Sequence, residues 1–434
     1  MSSLKLVPCL KSEMDYWSPQ PCQYDIERTV EVSYSPITTL DKASTIEFLV
    51  NGDTETYRDL SSVYLRLLVK LEATLGEDDD LPGVVNNIMH SLFRQCTIYL
   101  NNTLVSQEDG NYHYRSYIES LLNYSDDAAK TLLEVSGWYI DSGDLDSLET
   151  GNNSGLDERK ELMKGGKIIE LVGRIHGDVI NQSKYIPNGI DIRFVFQREN
   201  PAFYMMEKDD GTSHINILDA NLFINHVHIN RDMLVAHQKM LESGKNIPLP
   251  LRRVVVKQFT INSGQHTLNL DNVSFGRLPN MLLFGLVLNE AYSSKRSLNP
   301  YNFKRYGLQA VQLVLNGVNI PAKPLELSYN SSTGVTTTSA RAYQSLFREL
   351  GMTFADKGHQ ITKSRFDTSF FFLIFDLSPD HAYNDLCMSP VTHGNIRIEG
   401  KFEKAIEKAL TCIVMMDFEG CIEIDRYRNV TNVL

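Results

Sequence analysis

The sequence predicts an all-β protein made of two similar antiparallel β-sandwiches in tandem. Three observations predict it. Short segments carry apolar residues at every second position, turn dipeptides rather than long helices join most of them, and local patterns recur about 210 residues further on. At 434 residues, 42% hydrophobic and 22% charged, the chain has the composition of a globular protein with one large or two medium cores.

Residues 1–24, with three prolines and no period, read as an extended arm. Strands follow at 29–34 and 45–50, the second turned by Asn51-Gly52. In 64–73, Leu65, Leu67, Val69 and Leu71 face one way while Arg66, Lys70 and Glu72 face the other. An acidic loop at 76–82 leads to a strand at 91–100, closed by Asn101-Asn102. The period then changes: Tyr114, Tyr117, Ile118, Leu121 and Leu122 form the stripe of an amphipathic helix. A short helix capped by Ser125 is predicted over 126–135. The Asp-, Asn-, Ser- and Gly-rich stretch 142–166 reads as a long surface loop.

Strands resume at 167–175, at 190–196, where Ile190, Ile192, Phe194 and Phe196 alternate with Asp191 and Arg193, and at 215–229. Asn230 caps a helix that runs through Leu241 and stops at Gly244, before Pro248 and Pro250. Beyond Arg252 and Arg253, the β-branched run Val254, Val255 and Val256 leads to Phe259-Thr260-Ile261-Asn262. The turn Ser263-Gly264 and strands at 267–271 and 281–288 complete an antiparallel start to a second half.

That half replays the first. Asn316-Gly317 follows a strand as Asn101-Asn102 does, and the helical stripe from Tyr343 to Leu350 matches Tyr114 to Leu121. Arg397 in Gly394-Asn-Ile-Arg matches Arg193, and Asn262 matches Asn51. Units of this size, all-β with helix in one long connection, suit a jelly roll, two packed four-stranded sheets. The predicted fold is a double jelly roll of two eight-stranded sandwiches: an arm at 1–24, a first jelly roll at 25–230, a linker helix at 231–250 and a second jelly roll at 251–434.

The segment RRVVVKQFTINSGQHTLNLDNVSFGRLPNMLLFGLV, from Arg252, and LNPYNF at 298–303 resemble the major capsid protein of Polinton (Maverick) elements and adintovirus-like viruses. Segments 84–102, 185–196 and 218–245 fit the same family in the same order, so the resemblance covers about 30–429. It implies a subunit that trimerises into pseudo-hexagonal capsomers and self-assembles into an icosahedral shell. It also implies a single jelly-roll penton protein, a packaging ATPase and a maturation protease as partners, and the virion as the location. By the same resemblance, the arm and the tail after Arg426 make inner or intersubunit contacts. Loops 142–166 and 330–338 are candidates for the outer surface.

The residues set limits of their own. A net charge of −12 opposes direct genome packing, because the first 24 residues hold only Lys5 and Lys11, offset by Glu13 and Asp15. No apolar run suits a membrane span and the start lacks signal-peptide form, so the chain is expected to be made and kept in the cytosol or nucleus. Cys9, Cys22, Cys96, Cys387, Cys412 and Cys421 show no CxxC pairing and read as thiols. Sequons at Asn101, Asn123, Asn152, Asn181, Asn272, Asn330 and Asn429 then carry no glycan.

The pair His226 and His228 has the HxH form of metal-binding cupins, yet no Glu follows at the right spacing. Histidines on the outward face of a strand are expected. The run from Glu77 to Asp80 reads as a solvated loop, and Asn86, Asn87 and His90 as turn and capping groups. With no GxSxG, Walker or HExxH pattern, no catalytic, cofactor or metal residue is expected, and no enzyme. The alternative, a carbohydrate-binding or cupin-like β-sandwich, has only Trp17 and Trp138 for a sugar platform. The run from Phe370 to Phe375, apolar on both faces, is expected to be buried between the lobes or at a subunit contact.

Overall fold

The computed structural model describes residues 12–19, 22–40, 44–73, 81–106, 108–327, 339–353, 356–381 and 388–433. Among the described residues the first lobe has eight main strands, besides a short pair at Gly83–Val84 and Met205–Met206: β1 (Ile26–Tyr34), β2 (Thr45–Val50), β3 (Thr56–Glu72), β4 (Phe93–Leu100), β5 (Thr103–Leu104), β6 (Ile168–Arg174), β7 (Ile192–Arg198) and β8 (His214–Ile229). They form two sheets, in the orders β1-β8-β3-β6 and β2-β7-β4-β5. The second lobe has β9 (Ile247–Ile261), β10 (Thr267–Arg277), β11 (Met281–Leu288), β12 (Leu308–Leu315), β13 (Val318–Glu326), β14 (Phe372–Asp376), β15 (His393–Phe402) and β16 (Leu410–Ile424).

Its sheets run β9-β16-β11-β14 and β10-β15-β12-β13. Adding eight to every label of the first lobe gives the second. This strand order, antiparallel throughout, is the jelly roll, so the predicted double jelly roll is the observed fold. A short strand, β17 (Val430–Asn432), extends the second lobe's first sheet by pairing with β16.

Alternation does the local work. Leu65, Leu67, Val69 and Leu71 of β3 are all buried, and each such side chain contributes about 1.5–3 kcal/mol by leaving water. The hairpins β4–β5 and β12–β13 turn on Asn101 and Asn102 (φ 44° and 64°) and on Asn316 and Gly317 (φ 51° and 83°), as tight hairpins require. The first asparagine of each turn also makes an equivalent side-chain bond. Asn101 Oδ1 accepts from Asp191 N at 2.8 Å, and Asn316 Oδ1 from Asn395 N at 2.9 Å.

The main helices are α1 (Tyr112–Asn123), α2 (Ser154–Met163), α3 (Arg231–Glu242), α4 (Ala340–Glu349) and α5 (Lys363–Thr368). α1 and α4 occupy the same connection, between the fifth and sixth strands of their lobes. Asn230 Oδ1 caps α3 by accepting from Asp232 N at 2.9 Å. The stretch 142–166 is not simply a surface loop. It contains α2, whose Arg159 is fully buried and ion-paired with Asp141 at 2.5 Å. Its polar composition satisfies buried partners as well as water. Over 126–135 the structure has one α turn (Asp126–Ala129) and a 3-10 turn (Leu133–Ser136) rather than one helix.

The apolar run 370–375 meets expectation only in part, since Phe370 borders Asp141 and Leu145 of the first lobe while the strand itself is covered within its own lobe. β14 ends its sheet, with α4 packed on it, and Phe372 lies 4.4 Å from Phe303 of its own lobe. α4 supplies the cover on one of its faces.

Candidate functional site

His226 of the HxH pair on β8 is engaged in structural bonding. His226 Nε2 is hydrogen-bonded to the Tyr34 hydroxyl at 2.9 Å, and burial, with Arg58 nearby, lowers its pKa. Among the described residues the group of possible metal ligands that comes together is elsewhere: Glu349, Asp376 and His381, with ligand atoms within 4.8 Å. Its carboxylates already have protein partners, Arg348 on Glu349 and the Ser378 N–H and hydroxyl on Asp376. The run 77–80, loop 330–338, Cys9 and Cys387 lie wholly or partly outside the described residues. Cys22, Cys96, Cys412 and Cys421 are free thiols. Trp17 is exposed, whereas Trp138 is buried and donates to Gln360 Oε1 at 2.7 Å. Among the described residues no helix is long and apolar enough to cross a membrane.

Polar chemistry concentrates instead where the lobes meet. Asn86, Asn87 and His90 are buried rather than turn groups alone. Asn87 Nδ2 donates to Ser116 Oγ at 3.0 Å, and His90 Nδ1 is bonded to the Tyr112 hydroxyl at 2.9 Å. Beside them Arg115 of α1 bridges Glu119 at 2.8 Å and Asp178 at 2.6 Å, while His176 Nδ1 meets the other Glu119 oxygen at 2.6 Å. Burial alone would raise the Glu119 pKa. Arg115 and the bond from His176 outweigh it and hold the carboxyl down at about 2.

Asp178 and Asp109 reach from the first lobe to the open side of β9, the end strand of its sheet. Val254 N donates to Asp178 Oδ1 at 3.2 Å and Val256 N to Asp109 Oδ2 at 2.8 Å. Asn111 Nδ2 donates to Val256 O at 3.1 Å. An end strand presents unpaired backbone groups, and here side chains of the neighbouring lobe satisfy them. Opposite Val254 on β16 sits Asp417, whose Oδ1 is buried without a hydrogen-bond partner. Burial pushes its carboxyl up to about 7 against the pull of Arg252, at 3.9 Å.

Aromatic rings complete the seam. Tyr117 of α1 stacks on Tyr301 of the second lobe with centroids 4.0 Å apart, and the Tyr301 hydroxyl bonds Ser91 Oγ at 2.7 Å. Asn299 Nδ2 donates to Asp141 Oδ2 at 3.2 Å, and Gln360 Nε2 to Ser120 O at 2.9 Å. Past β16, Asn101 Nδ2 donates to Arg428 O at 2.9 Å, Thr103 Oγ1 to Val430 O at 3.1 Å and Asn432 Nδ2 to Leu104 O at 3.0 Å. The lobes are therefore bonded at several places into one block. Sequence reasoning missed this seam. The i, i+4 spacing of Arg115 and Glu119 is a helix ion-pair signal, but spacing alone does not distinguish a buried pair from a solvated one.

Comparison with known proteins places the architecture. No protein-family model matches the chain. An uncharacterized protein of Caenorhabditis elegans is 24% identical over 399 residues, 88% of this chain and 92% of that one. Among solved structures, a chain of the Sputnik virophage is similar with a TM-score of 0.68 and 11% identity, covering 99% of this chain and 93% of that one. A chain of the PBCV-1 virus capsid gives 0.59 at 8% identity, over 96% and 99% of the two chains. The mavirus major capsid protein gives 0.51 at 9% identity, over 100% and 97%. These likenesses establish a shared two-lobed fold across nearly the whole chain.

Proposed function

We propose that this chain is a viral major capsid protein whose activity is self-assembly, and that it is of the Polinton (Maverick) kind. The observation that carries this reading is the two-lobed frame, shared end to end with viral capsid chains, including the mavirus major capsid protein. The mechanism is geometric. Two jelly rolls locked by a bonded seam make a rigid tile, three chains present six similar lobes, and many weak tile contacts add up to a shell. Its first partner is a second copy of itself. A single jelly-roll penton protein and a place in the virion belong to the same reading, as does an outer role for the surface around 142–153. No enzymatic step is part of it.

Light scattering and negative-stain microscopy of the same tag-free fractions test it. Three-lobed particles near three times 49.3 kDa, or closed shells, are expected. A protein that stays monomeric at every salt and pH tried overturns it.

A further inference from the structure

Inside one chain the lobes meet head to tail. The open side of β9, first strand of the second lobe, lies against a seat built by Asp109, Asn111 and Asp178 of the first, with Asp178 held in place by Arg115 of α1. Both surfaces exist a second time. β1, first strand of the first lobe, also ends its sheet, and Glu27, Arg28, Thr29, Val30, Glu31 and Ser33 on it are exposed. Behind it Tyr64 and Phe223 stack at 4.8 Å, only half-buried.

Among the described residues the counterpart seat is open too. α1 is buried almost all round, whereas α4 leaves Arg341, Gln344 and Arg348 exposed, lining a cleft with Ser345, Ile374 and Phe375. An offset of 229 carries Tyr112, Arg115, Ser116 and Glu119 onto Arg341, Gln344, Ser345 and Arg348. The cleft thus corresponds to the α1 face that carries Arg115 and Glu119. Lining up the last paired residues of β6 and β14 matches the row Ser33, Phe223, Tyr64, Arg174 with the row Val254, Asp417, Met281, Asp376. In that match Glu31 stands where Arg252 does. Asp380 follows β14 at the distance in sequence at which Asp178 follows β6.

The charges are exchanged between the two cases. In the internal contact a strand with Arg252 and Arg253 meets a seat with Asp109, Glu119 and Asp178. The unused strand carries Glu27 and Glu31 beside one Arg28, and the unused seat presents Arg341 and Arg348. Glu349 neutralises part of Arg348, whose side chain is still 72% exposed, and His381 comes within 4.8 Å of Glu349, which also lines the cleft. An acidic strand suits the α4 seat and is repelled by the α1 seat, so charge sorts the two contacts.

We propose that the β1 edge of one copy docks in the α4 cleft of a second copy, with Glu31 facing Arg348 and Asp380 accepting from the backbone of Ser33. The inference rests on the capsid reading and assigns its subunit contact to these residues. Such a contact is head to tail, so it propagates around a ring rather than closing as a two-fold pair, and three copies complete six lobes.

Two sets of variants test it, with folding of each checked by circular dichroism. R348E and E31R are each expected to weaken trimerisation on the order of tenfold or more, and E31R/R348E together to restore most of it. S33C/D380C is expected to give disulfide-linked closed trimers on a non-reducing gel, and neither single cysteine should. A wild-type trimer that R348E and E31R leave intact, with no S33C/D380C cross-link, overturns this contact and leaves the capsid reading standing. Disulfide-linked species that stop at dimers also overturn it. A wild type that is monomeric throughout overturns both.

Discussion

β1 and β9 are the same strand of the same fold, and they differ in almost everything else. β9 buries Leu249, Leu251, Val254, Val256 and Ile261, with Val254 and Val256 bonded through their backbone to Asp178 and Asp109 of the other lobe. β1 has an exposed outer face, Val30 among it, and lies open at the edge of its sheet among the described residues. Position in a fold therefore does not set a strand's surroundings. What sets them is whether a neighbour covers the edge, and the residue choices follow: Arg252 and the valines on one strand, Glu27 and Glu31 on the other.

Removing the groups that cover β9 should separate the two strands most. D178A leaves Arg115 buried with one acid fewer and Val254 N–H without its acceptor. A loss of about 3–5 kcal/mol is expected in urea unfolding. Q344A, on the exposed α4 face that lines the other seat, should leave monomer stability within about 0.5 kcal/mol. Equal losses would show that the two seats are not different in the way described.

The next effect is a pH dependence. The Asp417 pKa is raised in the folded chain to about 7 from an ordinary 3.8. Its contribution to stability is fully present below about pH 4 and is lost as pH rises through about 7. Glu119 behaves in the opposite sense. Held at about 2 against an ordinary 4.5, it stabilises above pH 4.5 and loses that as pH falls towards 2. D417N should therefore gain stability relative to wild type between pH 5 and pH 8, by roughly 3 kcal/mol, in paired denaturation curves. A difference that does not change across that range would mean Asp417 is ionised throughout.

The smallest effect uses one substitution at both strands. V256T places a hydroxyl at a position 1% exposed and should cost about 1–2 kcal/mol. V30T should change monomer stability by less than about 0.5 kcal/mol, because Val30 is 40% exposed. Thermal melts of the two variants suffice to compare them.

Much of the fold was legible in the sequence because alternation and turn chemistry are local. The Leu65 to Leu71 stripe, the Asn101-Asn102 and Asn316-Gly317 hairpins and the offset between α1 and α4 all report what neighbouring residues do. The seam was not legible, since Arg115, Asp178 and Asp417 are far apart in sequence and each reads as a surface charge. α2 was missed for a related reason. Asp141, Asn153 and Arg159 look like loop residues until the partners that bury them are known. The run 370–375 signalled two covered faces correctly, but only the structure shows that α4 supplies one of the covers.

The segment from Arg428 to Asn432 pairs with β16 while accepting from Asn101 and Thr103 and donating to Leu104. It acts as a clasp, and it is translated after every other part of the seam. The first lobe can mature on the ribosome long before then. A chain broken off before Arg428 still holds both sandwiches and the rest of the seam but lacks this clasp. Because this segment is translated after the rest of the seam, its contacts complete the seam only once both lobes have been made.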